Sequence, residues 1–396
     1  MHIAIFTDSF LPQINGVVSY VFDTANQLQK RGHQVIIFAP RPRRGIKLNL
    51  EQYPFTVKLL PSLPSFLYPD IRFTIPSLPK VLLILKRFKP DVIHVQDPST
   101  VGTEGLTAGK ILKIPVAITF HTFFLDEEMF KNLKRGYKLK VFARPLWKLT
   151  SYYHNLANAV ICPSHVAAEE LKKHGLHKDT IFINNGIDLS QIKKPSDSKI
   201  RSLRVKYHIP SDHQVVINVS RLAPDKSLDV LIKAWRLIKD EAPKTTLVLV
   251  GDGPSRGRLQ ALVEELNLKS SVIFTGKLSR EEIIKNQIYY LGELYVTTSK
   301  IENQSISMLE AMAHGLPVVG VDARGTPELV DDRNGFLTSP DDPHEFAQVV
   351  LKALKNDKLR EKMSKGSLEK IKDYDINVST DKLLAVFRVL KNFKTI

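Results

Sequence analysis

Two carboxylates, Glu302 and Glu310, stand with seven residues between them in the stretch from Thr297 to Gly320, TTSKIENQSISMLEAMAHGLPVVG. A strand-like run, Leu294 to Thr298, precedes them. A polar turn follows, and then Ile306, Met308, Leu309, Met312 and Ala313, so the stretch reads as a strand, a loop and a buried helix. Glu302 falls in the loop and Glu310 one to two turns into the helix, which lets two acids address one bound molecule from different heights. The start of such a helix leaves backbone N–H groups at about Gln304 to Ser307 without helical partners, a setting that favours a phosphate. One acid would meet a sugar and the amides a phosphate. Spacing alone leaves a second reading open, because an acid ahead of a helix is often its cap or a partner for its dipole.

The pattern Glu-x7-Glu followed by Ala-Met-Ala-x-Gly-Leu-Pro-Val-Val resembles the nucleotide-sugar signature of the retaining family 4 glycosyltransferases. The resemblance implies an α/β GT-B fold, in which two Rossmann-like parallel-sheet domains face each other across a cleft and a C-terminal helix crosses back to the first. The implied boundaries are an acceptor-binding domain over 1–190, with the helix at about 377–396 packed back on it, and a nucleotide-sugar domain over 205–375.

Length and composition agree with two soluble domains. The chain has 396 residues, 43% of them hydrophobic and 25% charged, enough for two cores and too apolar for wholesale disorder. Its one cysteine, Cys162, lies in the apolar run AVICPS and reads as a small core residue in a reducing compartment. The N-terminal HIAIFTD is a strand without a charged leader, and no apolar run approaches the roughly 18 residues that span a bilayer. The expectation is a cytoplasmic protein without a transmembrane anchor, peripheral on the inner face of the cell membrane. Of the net charge of +16, residues 1–190 carry +10, so the excess lies in the first half.

The first half alternates strand and helix from His2 onward, the pattern of a parallel sheet whose ligands gather at the carboxyl ends of the strands. The first such turn, FTDSFLPQINGVVSYV, brings Gly16, where backbone can approach a phosphate or sugar closely, though a plain tight turn reads equally well. It resembles the family's first loop, which touches donor phosphate and acceptor; this implies donor contact at Gly16 and acceptor contacts at Asn15, Gly16 and Val17. Eight prolines between Pro40 and Pro79, with Tyr53, Phe55, Phe66, Tyr68 and Phe73 among them, predict an irregular or extended segment that is either a packing strand or a wall of the acceptor site. A lone histidine is usually a structural residue, but His121 closes the strand in ITFHTFF, where a side chain at the carboxyl end of a parallel strand points into the crevice; the family has a histidine at this place on the donor sugar, which implies that role here.

Residues 131–150, KNLKRGYKLKVFARPLWKLT, hold seven Lys and Arg and no acid. Lys131, Lys134, Arg135, Lys138, Lys140, Arg144 and Lys148, interleaved with aromatics such as Trp147, suit an anionic lipid surface. A solvated helix face and a nucleic-acid groove are weaker readings of the same charges, and Pro145 is expected to interrupt any long helix. A polar, lysine-rich linker is expected from Asp188 to about Asp212.

In the second half, Arg221 and Lys226 stand five apart after a strand, in VSRLAPDKSLDVLIKAW, so both cations can reach one diphosphate. The family shows an arginine and a lysine here for that purpose, with glycine in place of Ser220 and Ser227. Next, GDGPSRG has the spacing GxGxxxG rather than GxGxxG, and the following strand VIFTGK ends in lysine where a dinucleotide site needs an acid. That test argues against a dehydrogenase. The family places GDGP as structure near the donor, and Gly276, Lys277 and Leu278 match the place where backbone holds the base.

The resemblance then implies that Glu310 binds ribose hydroxyls, Arg221 and Lys226 neutralise the diphosphate, and Glu302 bonds the sugar. Gln304, Ser305 and Ile306 present the helix start, Arg221, Lys226, Glu302 and His121 form the catalytic set, and no cofactor or divalent metal is implied. Ser305 stands where the family usually has glycine, which puts a side chain beside the amides. The opening Glu-Asn-Gln is similar to the Glu-Thr-Gln of bacterial diacylglycerol glucosyltransferases, and with the basic segment it favours a UDP-sugar donor and a lipid acceptor, without a nucleic-acid partner. Phosphatidylinositol mannosyltransferases are a neighbouring likeness. The same transfer to a soluble sugar or polysaccharide, and a nucleotide-sugar-binding protein with impaired transfer, are the alternatives.

Overall fold

Ile3 and Ile5 face one side of the first strand, β1 (His2–Thr7), and Ala4 and Phe6 the other, all at most 1% exposed. A strand apolar on both faces is stable only when helices cover both. The computed structural model describes residues 1–64, 72–123 and 136–393, with 136–143 and 393 as backbone only. Phe66 and Tyr68 lie outside the described residues, as do Lys131, Lys134 and Arg135.

From β1 the chain runs through α1 (Gly16–Lys30), β2 (Gln34–Pro40), β3 (Thr56–Leu60), β4 (Ser62–Pro64), β5 (Arg72–Thr74), α2 (Leu78–Phe88) and β6 (Val92–Gln96). It continues with α3 (Thr100–Leu112), β7 (Val116–Thr119), α4 (Gly136–Leu156), β8 (Ala159–Cys162), α5 (His165–Lys173) and β9 (Thr180–Phe182). Seven strands form one parallel sheet in the order β3-β2-β1-β6-β7-β8-β9, while β4 and β5 pair antiparallel as a separate ribbon. The proline-rich segment is therefore not wholly irregular. Its strand β3 lies at the sheet edge beside β2, where few of its groups need ladder partners.

The second sheet is built from β10 (Gln214–Val219), β11 (Thr245–Val250), β12 (Val272–Gly276), β13 (Leu294–Val296), β14 (Val318–Val321) and β15 (Gly335–Thr338). Its order is β12-β11-β10-β13-β14-β15, again parallel. The helices that precede, connect and follow its strands are α6 (Asp197–Lys206), α7 (Leu228–Glu241), α8 (Arg256–Glu265), α9 (Arg280–Asn286), α10 (Ile306–Ala313), α11 (Thr326–Leu329), α12 (Pro343–Leu354), α13 (Asp357–Lys370) and α14 (Ile376–Phe393). In each sheet the strand order reverses at one place, between β1 and β6 and between β10 and β13. Loops leaving those four strands diverge, and the gap between them is where open parallel sheets bind ligands.

Of the described residues, those up to Phe123, Lys138–Gly186 and those from Ile376 onward form one compact unit, and residues 136–137 with Ile187–Asp375 form the other. The stretch expected as a linker is structured. Residues 197–206 form α6, and Leu203, Tyr207 and Ile209 enter the core of the second unit. A helix with lysines on its outer side reads as polar overall, which hid its few anchoring residues. A second correction concerns α4, which continues through Pro145 rather than stopping there.

In α14, Leu383, Leu384, Phe387 and Leu390 join Ile3 and Ile5 and the inner face of α1 in one cluster. Phe387 is fully buried with His94 edge-on at 5.3 Å. Phe387→Ala removes a large core side chain and should cost about 3–5 kcal/mol, lowering the melting transition of the first unit by about 10 °C in calorimetry. A shift below about 2 °C would show that the closing helix does not hold that core.

Candidate functional site

Arg221 and Lys226 lie in the loop after β10, where the chain makes a 3-10 turn at Pro224–Lys226 before α7. Between them sits Asp225, whose side chain is 4% exposed. Its carboxylate accepts from Arg221 Nη2 at 3.0 Å and lies 3.3 Å from Lys226 Nζ, which donates in turn to Glu302 Oε1 at 2.6 Å. Four charges thus alternate in a chain: Arg221, Asp225, Lys226, Glu302. Burial pushes the Asp225 carboxyl up, but the Lys226 and Arg221 cations outweigh it and hold the group below the usual carboxylate range. Burial likewise opposes the Lys226 charge, and the Glu302 and Asp225 carboxylates more than restore it, so the ammonium stays protonated.

The turn is pinned from two sides. Thr298 Oγ1, just beyond β13, donates to the carbonyls of Lys226 and Ser227 at 3.1 and 3.0 Å, and Ser299 Oγ to that of Asp225 at 3.3 Å. On the other side lies the GDGP turn. A Cβ on Gly251 would stand 2.0 Å from the Ser220 carbonyl oxygen, and one on Gly253 2.4 Å from that of Leu222. These glycines serve backbone contact with the cation loop, and GDGP acts here as a packing device. Ser227 adopts a left-handed conformation, φ +48°, the geometry glycine takes without penalty.

Glu302 is held from behind by the turn Arg324–Gly325–Thr326: Gly325 N donates to the Glu302 carbonyl at 3.0 Å, and a Cβ on Gly325 would meet the Asn303 oxygen at 1.6 Å. Asn303, Gln304 and Ser305 are all buried. Ser305 is the N-cap of α10 with φ −69° and ψ 115°, and its side chain makes no cap bond, lying instead 3.2 Å from Ser307 Oγ. Serine fits this backbone without strain, and the first turn of α10, from Ile306, has no side-chain cap. Within the helix, Glu310 Oε2 accepts from the buried Tyr289 hydroxyl at 2.7 Å. Burial, and then the adjacent Glu310, push that phenol well above its ordinary range, so it remains a donor. Gly276 takes φ +76° at the end of β12, Lys277 is exposed and Leu278 is packed in the core, leaving the backbone of these three as their common offering.

In the first unit, the loop after β1 places Asn15 as the N-cap of α1, its Oδ1 accepting from Val18 N at 3.0 Å and its Nδ2 donating to Gln13. Asn15 thereby satisfies one of the unpaired amides that every helix start presents. Gly16 opens α1 and Val17 is half-buried. His121 lies two residues past β7, buried, with Nε2 2.6 Å from Gln96 Oε1 and Tyr20 packed on its ring at 4.6 Å. Burial lowers its pKa to about 3. The imidazole is therefore neutral, and Nε2–H donates to Gln96.

Sequence reasoning passed over four residues that set this geometry. Asp225 and Tyr289 hold Lys226 and Glu310. Asp8 caps α3 from the end of β1, its Oδ1 accepting from Thr100 Oγ1 and Val101 N and its Oδ2 from Gly102 N, at 2.8–3.1 Å. Asp97, in a left-handed conformation with φ +57° just past β6, accepts from His121 N at 2.7 Å. Signals existed for two of them: Asp225 stands between two cations, and Asp97 closes the strand of IHVQDP. The acids of Asp373-Tyr374-Asp375, a spacing that holds metals elsewhere, lie at the junction of a 3-10 turn and α14 rather than in the cation loop. Among the described residues no cluster of three His, Cys, Asp or Glu is arranged for a metal ion, and no helix is long and apolar enough to cross a membrane.

Of the residues expected at a lipid surface, Arg144 and Lys148 are exposed on α4, and the side chains of Lys138 and Lys140 lie outside the described residues. Trp147 is a correction. It is 5% exposed, with its indole stacked on His174 at 4.6 Å and packed near Phe120, because its apolar area is better matched by the core than by a surface.

Residues 14–191 match the family described as Glycosyltransferase Family 4, and residues 199–370 that described as Glycosyl transferases group 1. The chain is 29% identical over 362 residues to the alpha-monoglucosyldiacylglycerol synthase of Streptococcus pneumoniae, covering 89% of this chain and 78% of that one. It is 30% identical over 346 residues to a GDP-mannose-dependent alpha-mannosyltransferase of Mycolicibacterium smegmatis, covering 86% and 85%. Among solved structures, Anabaena HepE in complex with UDP-glucose superposes with a TM-score of 0.80 at 22% identity, over 98% of this chain and 100% of that one.

Asp97 supplies a test of the buried acids. Burial, with the neighbouring Asp8 charge adding to it, raises its pKa from 3.8 to about 7 against the pull of the His121 amide. A carboxyl raised on folding is protonated in the native state where the unfolded chain has already ionised, so stability falls as pH rises from about 4 to about 7 and is level beyond. Asp97→Asn keeps the acceptor oxygen and removes the charge. Relative to the native chain, its stability should grow across that interval by a few kcal/mol, read by urea unfolding at a series of pH values. A difference independent of pH would refute the raised pKa.

Proposed function

Because the chain belongs to glycosyltransferase family 4 and is a glycosyltransferase of the GT-B type, we propose that it moves a hexose from a nucleotide diphosphate sugar to a membrane lipid such as diacylglycerol. In this reading the donor is a UDP-sugar, configuration at the anomeric carbon is retained, no metal takes part, and the enzyme works at the inner face of the cell membrane. The observation that carries it is the charge chain from Arg221 to Glu302. Lys226 has three N–H donors and, among the described residues, faces the two carboxylates of Asp225 and Glu302, leaving a donor for a phosphate oxygen. Arg221, 35% exposed at its side chain, adds its positive charge beside it.

The reaction follows from that placement. The bond between the anomeric carbon and the phosphate oxygen breaks, and its electron pair passes to the diphosphate. Arg221 and Lys226 stabilise the charge growing there, in preorganised positions that need no rearrangement. The acceptor hydroxyl oxygen bonds to the same face of the anomeric carbon, and its proton goes to a donor phosphate oxygen. Glu302 bonds the sugar, Glu310 the ribose, the backbone at Gly276, Lys277 and Leu278 the base, and the amides at Gln304, Ser305 and Ile306 the phosphate. The neutral His121 contacts the sugar as a hydrogen-bonding group rather than as a cation. Support for the lipid acceptor is the likeness to the streptococcal diacylglycerol synthase. The mycobacterial mannosyltransferase favours a second reading, transfer of mannose from GDP-mannose by the same residues.

A thermal-shift screen should show stabilisation by UDP-glucose above GDP-mannose, with transfer to diacylglycerol in vesicles; the reverse order selects the second reading. Donor binding without transfer or donor hydrolysis on a broad acceptor panel would leave only a binding protein. Glu302→Ala should lower turnover by about a hundredfold or more with little change in donor affinity. Lys226→Ala should reduce both and destabilise the fold by about 3–5 kcal/mol, because buried Asp225 loses a partner. Equal, small effects from the two would remove the assignment.

A further inference from the structure

Three hydroxyls stand in a row between β13 and α10. Tyr295 lies in β13, 1% exposed, and its phenol oxygen is 2.9 Å from Ser307 Oγ, which is in turn 3.2 Å from Ser305 Oγ. Burial first of all, and then the Glu302 and Glu310 charges, push the phenol above its ordinary range against the pull of Ser307, so it keeps its proton. Both acids assigned to the donor therefore bear on this one hydroxyl. Glu302 is also tied to Lys226 Nζ at 2.6 Å, and the row ends at Ser305, three residues along the chain from that pair.

A serine ahead of a helix ordinarily accepts from an amide of the first turn. Ser305 does not, since its side chain makes no cap bond. Nor is it a solvated side chain, being 8% exposed. Counting hydrogens then sets its role. Three hydroxyls bring three hydrogens, and the two contacts of the row use two of them. The core closes the Tyr295 end, so the row runs outward: the phenol donates to Ser307, Ser307 donates to Ser305, and the Ser305 O–H keeps a hydrogen to give. In a buried position that hydrogen is costly without an acceptor, and a bound anion removes the cost. Each donation also polarises the next hydroxyl, which makes the last one a stronger donor than an isolated serine.

We infer that Ser305 is a catalytic residue whose hydroxyl donates to the sugar-side phosphate of the bound nucleotide, and that Tyr295, acting through Ser307, is the positioning residue that directs it. The inference rests on the nucleotide-sugar donor of the reading above. As the bond from the anomeric carbon to that phosphate oxygen breaks, its electron pair stays on the phosphate. The Ser305 hydrogen bond strengthens with the growing charge, and the proton remains on the serine. Arg221 and Lys226 supply opposite charge, and Ser305 supplies a directed donor. On this account the serine side chain aids transfer instead of impeding it.

Titration calorimetry of the full chain with UDP and UMP, and with GDP and GMP, separates this role from a structural one, because only the diphosphates carry the phosphate concerned. Ser305→Ala and Ser305→Gly should each weaken the preferred diphosphate about tenfold and leave its monophosphate within about twofold. Tyr295→Phe keeps the ring in the core; it should weaken the diphosphate about threefold in the native chain and no further in Ser305→Ala, the coupling expected of one row. In transfer assays, kcat of Ser305→Ala should fall about tenfold to a hundredfold with a much smaller change in donor KM, since the intact donor lacks the charge that develops later. Equal losses for diphosphate and monophosphate, no loss in either serine variant, faster turnover in Ser305→Gly, or the same loss from Tyr295→Phe with and without Ser305 overturns the inference and leaves the donor reading standing. A native chain that binds none of the four nucleotides removes both.

Discussion

One buried carboxylate organises the second unit. Asp225 is almost wholly removed from water, and a carboxylate in that position is tolerable only while cations face it. Arg221 and Lys226 are therefore held by a structural need that exists before any substrate binds. The surrounding backbone is arranged to permit this. Two glycines of the GDGP turn let one strand's loop lie against another, two hydroxyls past β13 fasten the turn, and Gly325 lets a third loop press on Glu302. In the proposed reaction a diphosphate would meet positive charge that is already in place.

The first unit meets the opposite difficulty. Its strand ends gather acids and imidazoles that the core desolvates, and there burial works against the charged forms. Asp8 and Asp97 are raised, while His94 and His121 are lowered to about 3. Asp97 reaches the His121 amide only by taking a left-handed backbone, a strain that the hydrogen bond and the buried end of the sheet sustain. The outcome is a cluster of desolvated hydrogen-bonding groups in one unit and a chain of alternating charges in the other. Both occur at the same topological feature, the place where strand order reverses.

Helix α4 shows how one composition serves two environments. Its basic residues and its aromatic residues fall within the same twenty positions, yet Trp147 turns inward onto His174 while Arg144 and Lys148 remain outside. The large indole, with a histidine ring to stack on, recovers more by burial than any lysine would. Pro145 sits within the helix, where its missing N–H removes one backbone bond without ending the element.

Much of this was legible in the linear order of residues. Alternating apolar strands and helices, glycine and proline at the turns, and paired glutamates before and within a helix are local patterns, and local patterns declare strand ends, where open parallel sheets put their chemistry. Arg221, Lys226, Glu302 and Glu310 were singled out as candidates in this way, as was His121. The partners that hold them were not, because Asp225, Tyr289, Asp97 and Gly325 act through contacts whose value depends on burial and on neighbours far along the chain. Lys226 and Glu302 are 76 residues apart and touch at 2.6 Å. Helix α6 and the inward turn of Trp147 were hidden for the same reason: a few anchoring side chains decide where a polar or basic segment packs, and only the folded neighbours identify them.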